Sequence, residues 1–206
     1  MSRPTFVVIG AGGHAKVVIA TIEASGGKVV RLLDDTVALQ GTRVLGHLVE
    51  GPISEEAVGD GARAVIAVGS NRSRSVIASR LNVEYGIAIH PSAVVHESAV
   101  IGAGTVVFAG AIVQPDVRIG RHVILNTGAS IDHDCVLGDY VHVAPGAHLA
   151  GKVHIDEGAL MGIGSCAIPG VRVGAWATVG AGGVVLQAVA SGATAIGVPA
   201  RIAQHS

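Results

Sequence analysis

The sequence predicts half of a doubly wound α/β fold followed by a parallel β-helix. Three observations predict it: an aliphatic residue at every sixth position through the second half, a strand–glycine turn–helix pattern at the front, and an aromatic content of only 2%. The period is the strongest of the three. From Ile89 it runs through Val95, Ile101 and Val107 to Val185, seventeen positions in all, with Met161 and Ala167 its smallest departures. Four places after each comes a small or β-branched residue such as Ala93, Thr105, Cys135 or Ala147. The position after the aliphatic residue is often Gly, Asp or Asn, as in Gly102, Asn126, Asp132 and Gly162. Six fits neither a helix nor a long alternating strand. It fits short strands joined by corners, with aliphatic residues inside and small residues beside them. A narrow column of this kind has no room for rings.

Three hexads make one triangular coil, so residues 18 apart stack on adjacent coils about 4.8 Å apart. Seventeen hexads give somewhat under six coils. No insertion interrupts the register from Ile89 to Ala190, and the pattern relaxes after Gln187. Both ends of such a column are open sheet edges. The front domain is expected to cap one and the tail the other, dividing the chain into 1–87, 88–190 and 191–206.

In the front domain, Thr5 to Gly10 reads as a buried strand, Gly10-Ala11-Gly12-Gly13-His14 as a turn, and Ala15 to Ser25 as a helix ended by Gly26-Gly27. Val29 to Leu33 is a second strand ending at Asp34-Asp35. Ala64 to Val68 is a third, leading through Gly69-Ser70-Asn71 into a helix ending near Leu81. This half-Rossmann-like pattern suits nucleotide binding. Glycines at a strand end let the backbone approach a phosphate, and free helix amides favour an anion. A dinucleotide needs two such halves and only one fits before Ile89, so a nucleotide diphosphate carrying another group is more economical than NAD. Asp34, Asp35 and Asn71 stand at matching strand ends and complete the candidate site. A tight turn without ligand is the alternative. Thr36 to Leu45 carries no readable motif.

The ten histidines sort by position. His90, His96 and His122 read as corner residues. His142, His148 and His154 share a hexad position, but successive hexads lie on different faces, so the three cannot converge on one metal. His133, in Ile131-Asp132-His133-Asp134-Cys135, stands apart. Its neighbour one coil up is Gly151, which leaves space and a bare amide beside the imidazole. A general base beside an oxyanion donor fits that arrangement, with Asp134 or Asp132 orienting the ring. A solvated corner histidine is the alternative. Cys135 falls at the small inward position, and Ser130 and Ser165 show no base partner.

Net charge is −1 and the isoelectric point about 6.8, which argues against a nucleic-acid surface. Mean hydropathy is +0.58, yet no apolar stretch reaches a membrane span and the start does not read as a secretory signal. Two cysteines make no disulfide framework. The expected setting is the cytoplasm.

With Val-Ile-Gly-Ala-Gly-Gly-His-Ala-Lys in front of an unbroken hexapeptide array, the chain resembles the left-handed β-helix sugar acyltransferases grouped with the sialic-acid O-acetyltransferase family. Within it, the chain is most similar to the nucleotide-sugar N-acetyltransferases of the bacillosamine and perosamine pathways. The resemblance implies the left-handed coil, His133 as general base with Asp134 as its acidic neighbour, and Asn126 in the acceptor site. It implies His142 and Gly151 near the thioester of acetyl-CoA. The donor would lie between subunits of a homotrimer along the later coils, past Gly162 and Gly180, reaching Pro199 and Arg201. The nucleotide sugar would bind through Gly10, Gly12, Gly13, His14, Asp34, Asp35 and Asn71. Acetyl transfer to the amine of a 4-amino sugar follows, with no metal and no covalent enzyme intermediate. O-acetylation of a sugar hydroxyl, a non-catalytic nucleotide-sugar scaffold, and metal-dependent hydration remain alternatives. The last is disfavoured because the related β-helix anhydrases use histidines five apart, a spacing absent here.

Overall fold

A computed structural model describes residues 3–59 and 61–203. The front domain contains β1 (Thr5–Ile9), α1 (Gly13–Ala24), β2 (Lys28–Leu33), β3 (Arg43–Val44), β4 (His47–Glu50), α2 (Glu55–Val58), β5 (Arg63–Ile66) and α3 (Asn71–Ser79). The sheet order is β3-β4-β2-β1-β5, parallel except for the β3–β4 hairpin. β1 lies centrally, buried on both faces, which is why it reads as an unbroken Phe-Val-Val-Ile run. α1 packs Ala15, Val18, Ile19 and Ile22 against it. The hairpin was not legible in the sequence. Its strands are only two and four residues long, joined at Leu45-Gly46, where both residues have positive φ.

From Ala88–Ile89 to Val184–Val185 the chain forms seventeen two-residue strands in three parallel stacks. The register is 18 residues throughout: Ile112 pairs Ser130, Ser130 pairs His148, and His148 pairs Cys166. Val107, Val113, Ile119, Leu125, Ile131 and Leu137 point inward and are buried, with Ala111, Val117, Val123 and Ala129 beside them. The period breaks once, at the end. Val189 bridges Val173 and Thr194 pairs Thr178, each 16 residues apart, so the last coil is two residues short on each of these faces. The tail then adds β23 (Thr194–Ile196), and β24 (Arg201–Ile202) folds back antiparallel to it, covering that stack's edge.

The front domain does not cap the first coil as expected. It lies along one stack of the column, and Ala88, Val106, Phe108 and Ile124 on that face merge with Phe6, Val8, Ala15 and Ile19 into one core. The first coil's own inward residues, Ile89, Val95 and Ile101, stay half-buried. The outward positions differ between faces: this one carries Ala88, Val106 and Ile124 on three successive coils, whereas on the others Val94, Val100 and Ile112 give way to Arg118, Ser130, His148 and His154.

Because each inward aliphatic side chain has a neighbour above and below, truncating one leaves a void the column cannot close. Leu125→Ala should lower unfolding free energy by about 2–5 kcal/mol in denaturant titration. A loss under about 1 kcal/mol would contradict the tight-column packing.

Candidate active site

His133 sits at the corner between the strands Ser130–Ile131 and Val136–Leu137. Its Nδ1 lies 2.8 Å from Asp134 Oδ2, and the side chain is half exposed. Asp134 reaches back because its own backbone is in the left-handed region, φ +59°. With the Nδ1 proton held by the carboxylate, the Nε2 lone pair is left free. The ring stacks on Gly151: a Cβ there would come within 2.6 Å of both Cε1 and Nε2. The expected imidazole-over-glycine stack is present.

The state of the amides at this corner follows from the second hexad position. Asp132 Oδ1 takes the His133 amide at 2.8 Å, and Asn126 Oδ1 takes the Thr127 amide at 2.8 Å. At the coil above, that position is Ala150, which has no acceptor to offer. Among the described residues the Gly151 amide accordingly has no partner, and it stands beside Nε2. Cys135 is buried in the column, bonded to the Ala150 carbonyl at 3.2 Å. Burial pushes its thiol up to about 11, which removes it as a nucleophile. A groove of about 480 Å³ opens beside this corner, lined by Asp132, Ala150, Ser130 and His148. The reading that Ser130 lacks a base partner needs correcting: its Oγ is 2.8 Å from His148 Nδ1. The signal was present, since 148 is 130 plus one coil. Ser165 is buried and its hydroxyl has no partner.

The second group lies on the face under the front domain. Gly10 turns at φ +100° so tightly that a Cβ would meet Val68 Cγ2 at 2.8 Å, whereas Gly12 and Gly13 face open space. α1 begins there without a side-chain cap, leaving its first amides outward. Asp34 fixes the turn, accepting from Ala11 N at 2.7 Å through one oxygen and Thr36 N at 2.8 Å through the other. Partial burial opposes its charge, and these amides outweigh it, holding the carboxyl below the ordinary range. Asp35 accepts from Ile53 N at 2.8 Å and lies 3.5 Å from Arg80. Asn71 donates to the Gly158 and Ala159 carbonyls at 3.0 and 3.1 Å and accepts from Arg74 at 2.9 Å. Its amide therefore ties the domain to the column.

His142 belongs to this group. Asn126 uses its oxygen on the Thr127 amide, so its Nδ2 faces His142 Nε2 at 3.1 Å and donates to it. His142 thereby accepts at Nε2, which assigns its proton to Nδ1. Its ring centroid is 6.3 Å from that of His14, which also meets Phe108 edge-on. Burial and then the charge of Arg74 lower His14 to about 4 and His142 to about 3. His14 Nε2 is buried without a partner, an orphan polar atom under the glycine turn. Gly162 follows Met161 on the same face and Gly180 lies one coil above it, while Pro199 and Arg201 are in the tail.

The candidate residues thus fall into two separate groups on one chain. The glycine turn, His14, Asn126 and His142 gather on the face that carries the front domain, whereas His133 and Gly151 occupy the corner between the other two faces. His142, His148 and His154 lie on three separate sheets. His122 departs from its expected role as an open corner residue. It is 1% exposed, stacked on Tyr140 at 5.3 Å, and lowered to about 4 by burial and then by Arg121 and Arg74.

Two measurements follow. Gly151→Ala should displace the His133 ring and reduce kcat by about 10²-fold with cooperative unfolding retained; an unchanged kcat would dissociate that glycine from the chemistry. The depressed folded-state pKa values of His14, His122 and His142 mean that the unfolded chain binds more protons between about pH 6.5 and 4. Stability is therefore full above that window and should fall as pH drops through it. A flat thermal midpoint from pH 7 to 4 would contradict their neutral burial.

Comparison with known proteins agrees with this architecture. The PglD N-terminal domain family matches residues 5–81, and the bacterial transferase hexapeptide (six repeats) family matches residues 116–151. PerB from Caulobacter crescentus, solved with CoA and GDP-perosamine, is 40% identical over 98% of this chain and 99% of its own, with a TM-score of 0.89. The acetyltransferase domain of PglB from Neisseria gonorrhoeae is 38% identical over 98% and 100%, TM-score 0.87. WeeI from Acinetobacter baumannii is 28% identical over 97% and 99%, TM-score 0.81. No curated protein matches. With near-complete coverage of both chains at 40% identity, this chain belongs to the hexapeptide-repeat sugar acetyltransferases, in the branch of the nucleotide-sugar N-acetyltransferases.

Proposed function

We propose that the protein transfers the acetyl group of acetyl-CoA to the amine of a nucleotide-linked 4-amino-deoxy sugar, in the cytoplasm. The observation that carries this reading is the His133 corner: Nδ1 on a carboxylate at 2.8 Å and Nε2 beside an unpartnered amide. His133 removes the amine proton as the nitrogen attacks the thioester carbonyl, and Asp134 stabilises the imidazolium that forms. The Gly151 amide meets the charge that develops on the carbonyl oxygen. The proton returns from His133 to the departing thiolate, so no covalent enzyme intermediate is needed. PerB, 40% identical, was solved with CoA and GDP-perosamine, which supports both the donor and the acceptor class.

The acceptor's diphosphate sits on the amides of Gly12 and Gly13, which face open space at the uncapped start of α1. Asp34 and Asp35 act by shaping this turn, and Asn71 by seating it against the column. Because the two half-sites occupy different sides of one column, the reacting centre requires a second copy. A homotrimer brings the His133 corner of one protomer to the His142 face of the next, with acetyl-CoA along the seam past Gly162 and Gly180 toward Pro199 and Arg201.

A thiol-release assay with acetyl-CoA against UDP-, GDP- and dTDP-linked 4-amino sugars should give turnover with at least one. His133→Ala should then lower kcat by about 10²–10⁴-fold. Silence across the panel with activity on a hydroxyl acceptor would replace the amine reading, and a loss below tenfold in a folded variant would reject His133 as base.

A further inference from the structure

Arg74 is the largest fully buried side chain among the described residues, at 1% exposure, and no carboxylate accompanies it. Its acceptors are all neutral oxygens. Nε donates to the His122 carbonyl at 2.7 Å and Nη2 to the Tyr140 carbonyl at 2.7 Å, both on the column. Nη1 donates to Val68 and Gly69 carbonyls at 3.0 and 3.3 Å, at the strand end beside the glycine turn, and Nη2 also reaches Asn71. The groups facing it from other elements are His14 on α1, His142 on the column strand, and Tyr140 and His122 on the column corner, with Arg121 and Asp139 beyond them. The three imidazoles are neutral near pH 7, and burial lowers Arg74 only to about 10. One net positive charge is therefore enclosed directly behind the nucleotide half-site.

A buried cation without an anion is costly, several kcal/mol in general, and is kept where something compensates it. Two arrangements here point the same way. Arg74 turns the Val68 and Gly69 carbonyls inward, which leaves the following α3 terminus facing out. The adjacent glycine turn begins α1 without a side-chain cap, whereas Ser70 caps α3 through the Ser73 amide, so the uncapped α1 terminus and the enclosed charge of Arg74 offer positive potential toward one anion. We infer that Arg74 is a positioning residue for the acceptor: it sets both strand ends against the column and supplies, without touching the ligand, the counter-charge that makes the half-site select a diphosphate. This rests on the nucleotide-sugar reading above.

The test compares ligands by charge, since a purely structural role would weaken all of them equally. Calorimetry gives the affinity ratio of diphosphate to nucleoside, for the tightest of GDP, UDP and dTDP and its own nucleoside. Wild-type protein should favour the diphosphate strongly; Arg74→Gln should cut that preference by about tenfold with nucleoside affinity unchanged, and Arg74→Lys should keep it. If Arg74→Gln does not fold, Arg74→Lys alone decides: a retained preference supports the counter-charge, and a lost one overturns it. An unchanged ratio in Arg74→Gln, with wild-type preference intact, overturns the inference and leaves the functional reading standing. A wild-type protein that binds no nucleotide overturns both.

Discussion

The column of this protein is set by the 18-residue stacking of coil on coil. In a column three hexads around, the residue above any position is fixed by arithmetic, so a side chain gains a partner on the next turn besides those it finds among its sequence neighbours. His133 meets Gly151 for this reason, and Ser130 meets His148. At three of these corners the second hexad position bears on whether the next amide is capped. Asp and Asn cap it at Asp132 and Asn126; Ala150 does not, and the bare amide of Gly151 results. The chemistry at the corner is a by-product of repeat geometry plus one small residue in the right place.

The same register accounts for the division of the site. The front domain settles on the face whose outward residues are Ala88, Val106, Phe108 and Ile124, where the apolar run spans three coils before a polar residue interrupts it. Its seat is then fixed by polar contacts from α3, with Asn71 and Arg74 gripping carbonyls of Gly158, Ala159, His122 and Tyr140. These contacts hold the glycine turn over His142 and away from His133. On the proposed reading, assembly brings the two groups together.

The sequence disclosed the column, its register, three of the five front-domain strands, the His133–Gly151 stack and the glycine turn, because each depends on local period or one-coil arithmetic. What it concealed depends on packing between parts. Asp34, Asp35 and Asn71 stand at strand ends where ligand-binding residues belong, yet their side chains are engaged with backbone amides and carbonyls that no motif specifies. The position of the front domain depends on Phe6, Val8, Ala15 and Ile19 meeting Ala88, Val106, Phe108 and Ile124, a match between parts that no local period encodes. Arg74 left a trace: with Ile77, Ala78 and Leu81 it completes a helical stripe of spacing three, four and seven, which places an arginine on the face turned inward. The short last coil follows Gln187, where the aliphatic period lapses, although nothing in the residues announces a loss of two positions.

Subunit complementation examines the divided site most directly. His133→Ala removes the base and leaves the glycine turn, while Gly12→Asp puts a negative charge where a diphosphate would sit, at a position with open space for the side chain. Each variant alone should be inactive. Unfolded together and reassembled, they should recover activity, approaching about a quarter of the sites by random assortment, since an intact base on one copy then faces an intact turn on another. Mixed assemblies that stay as inactive as the separate variants would show that both halves must lie on one chain, and a site shared between protomers would be ruled out.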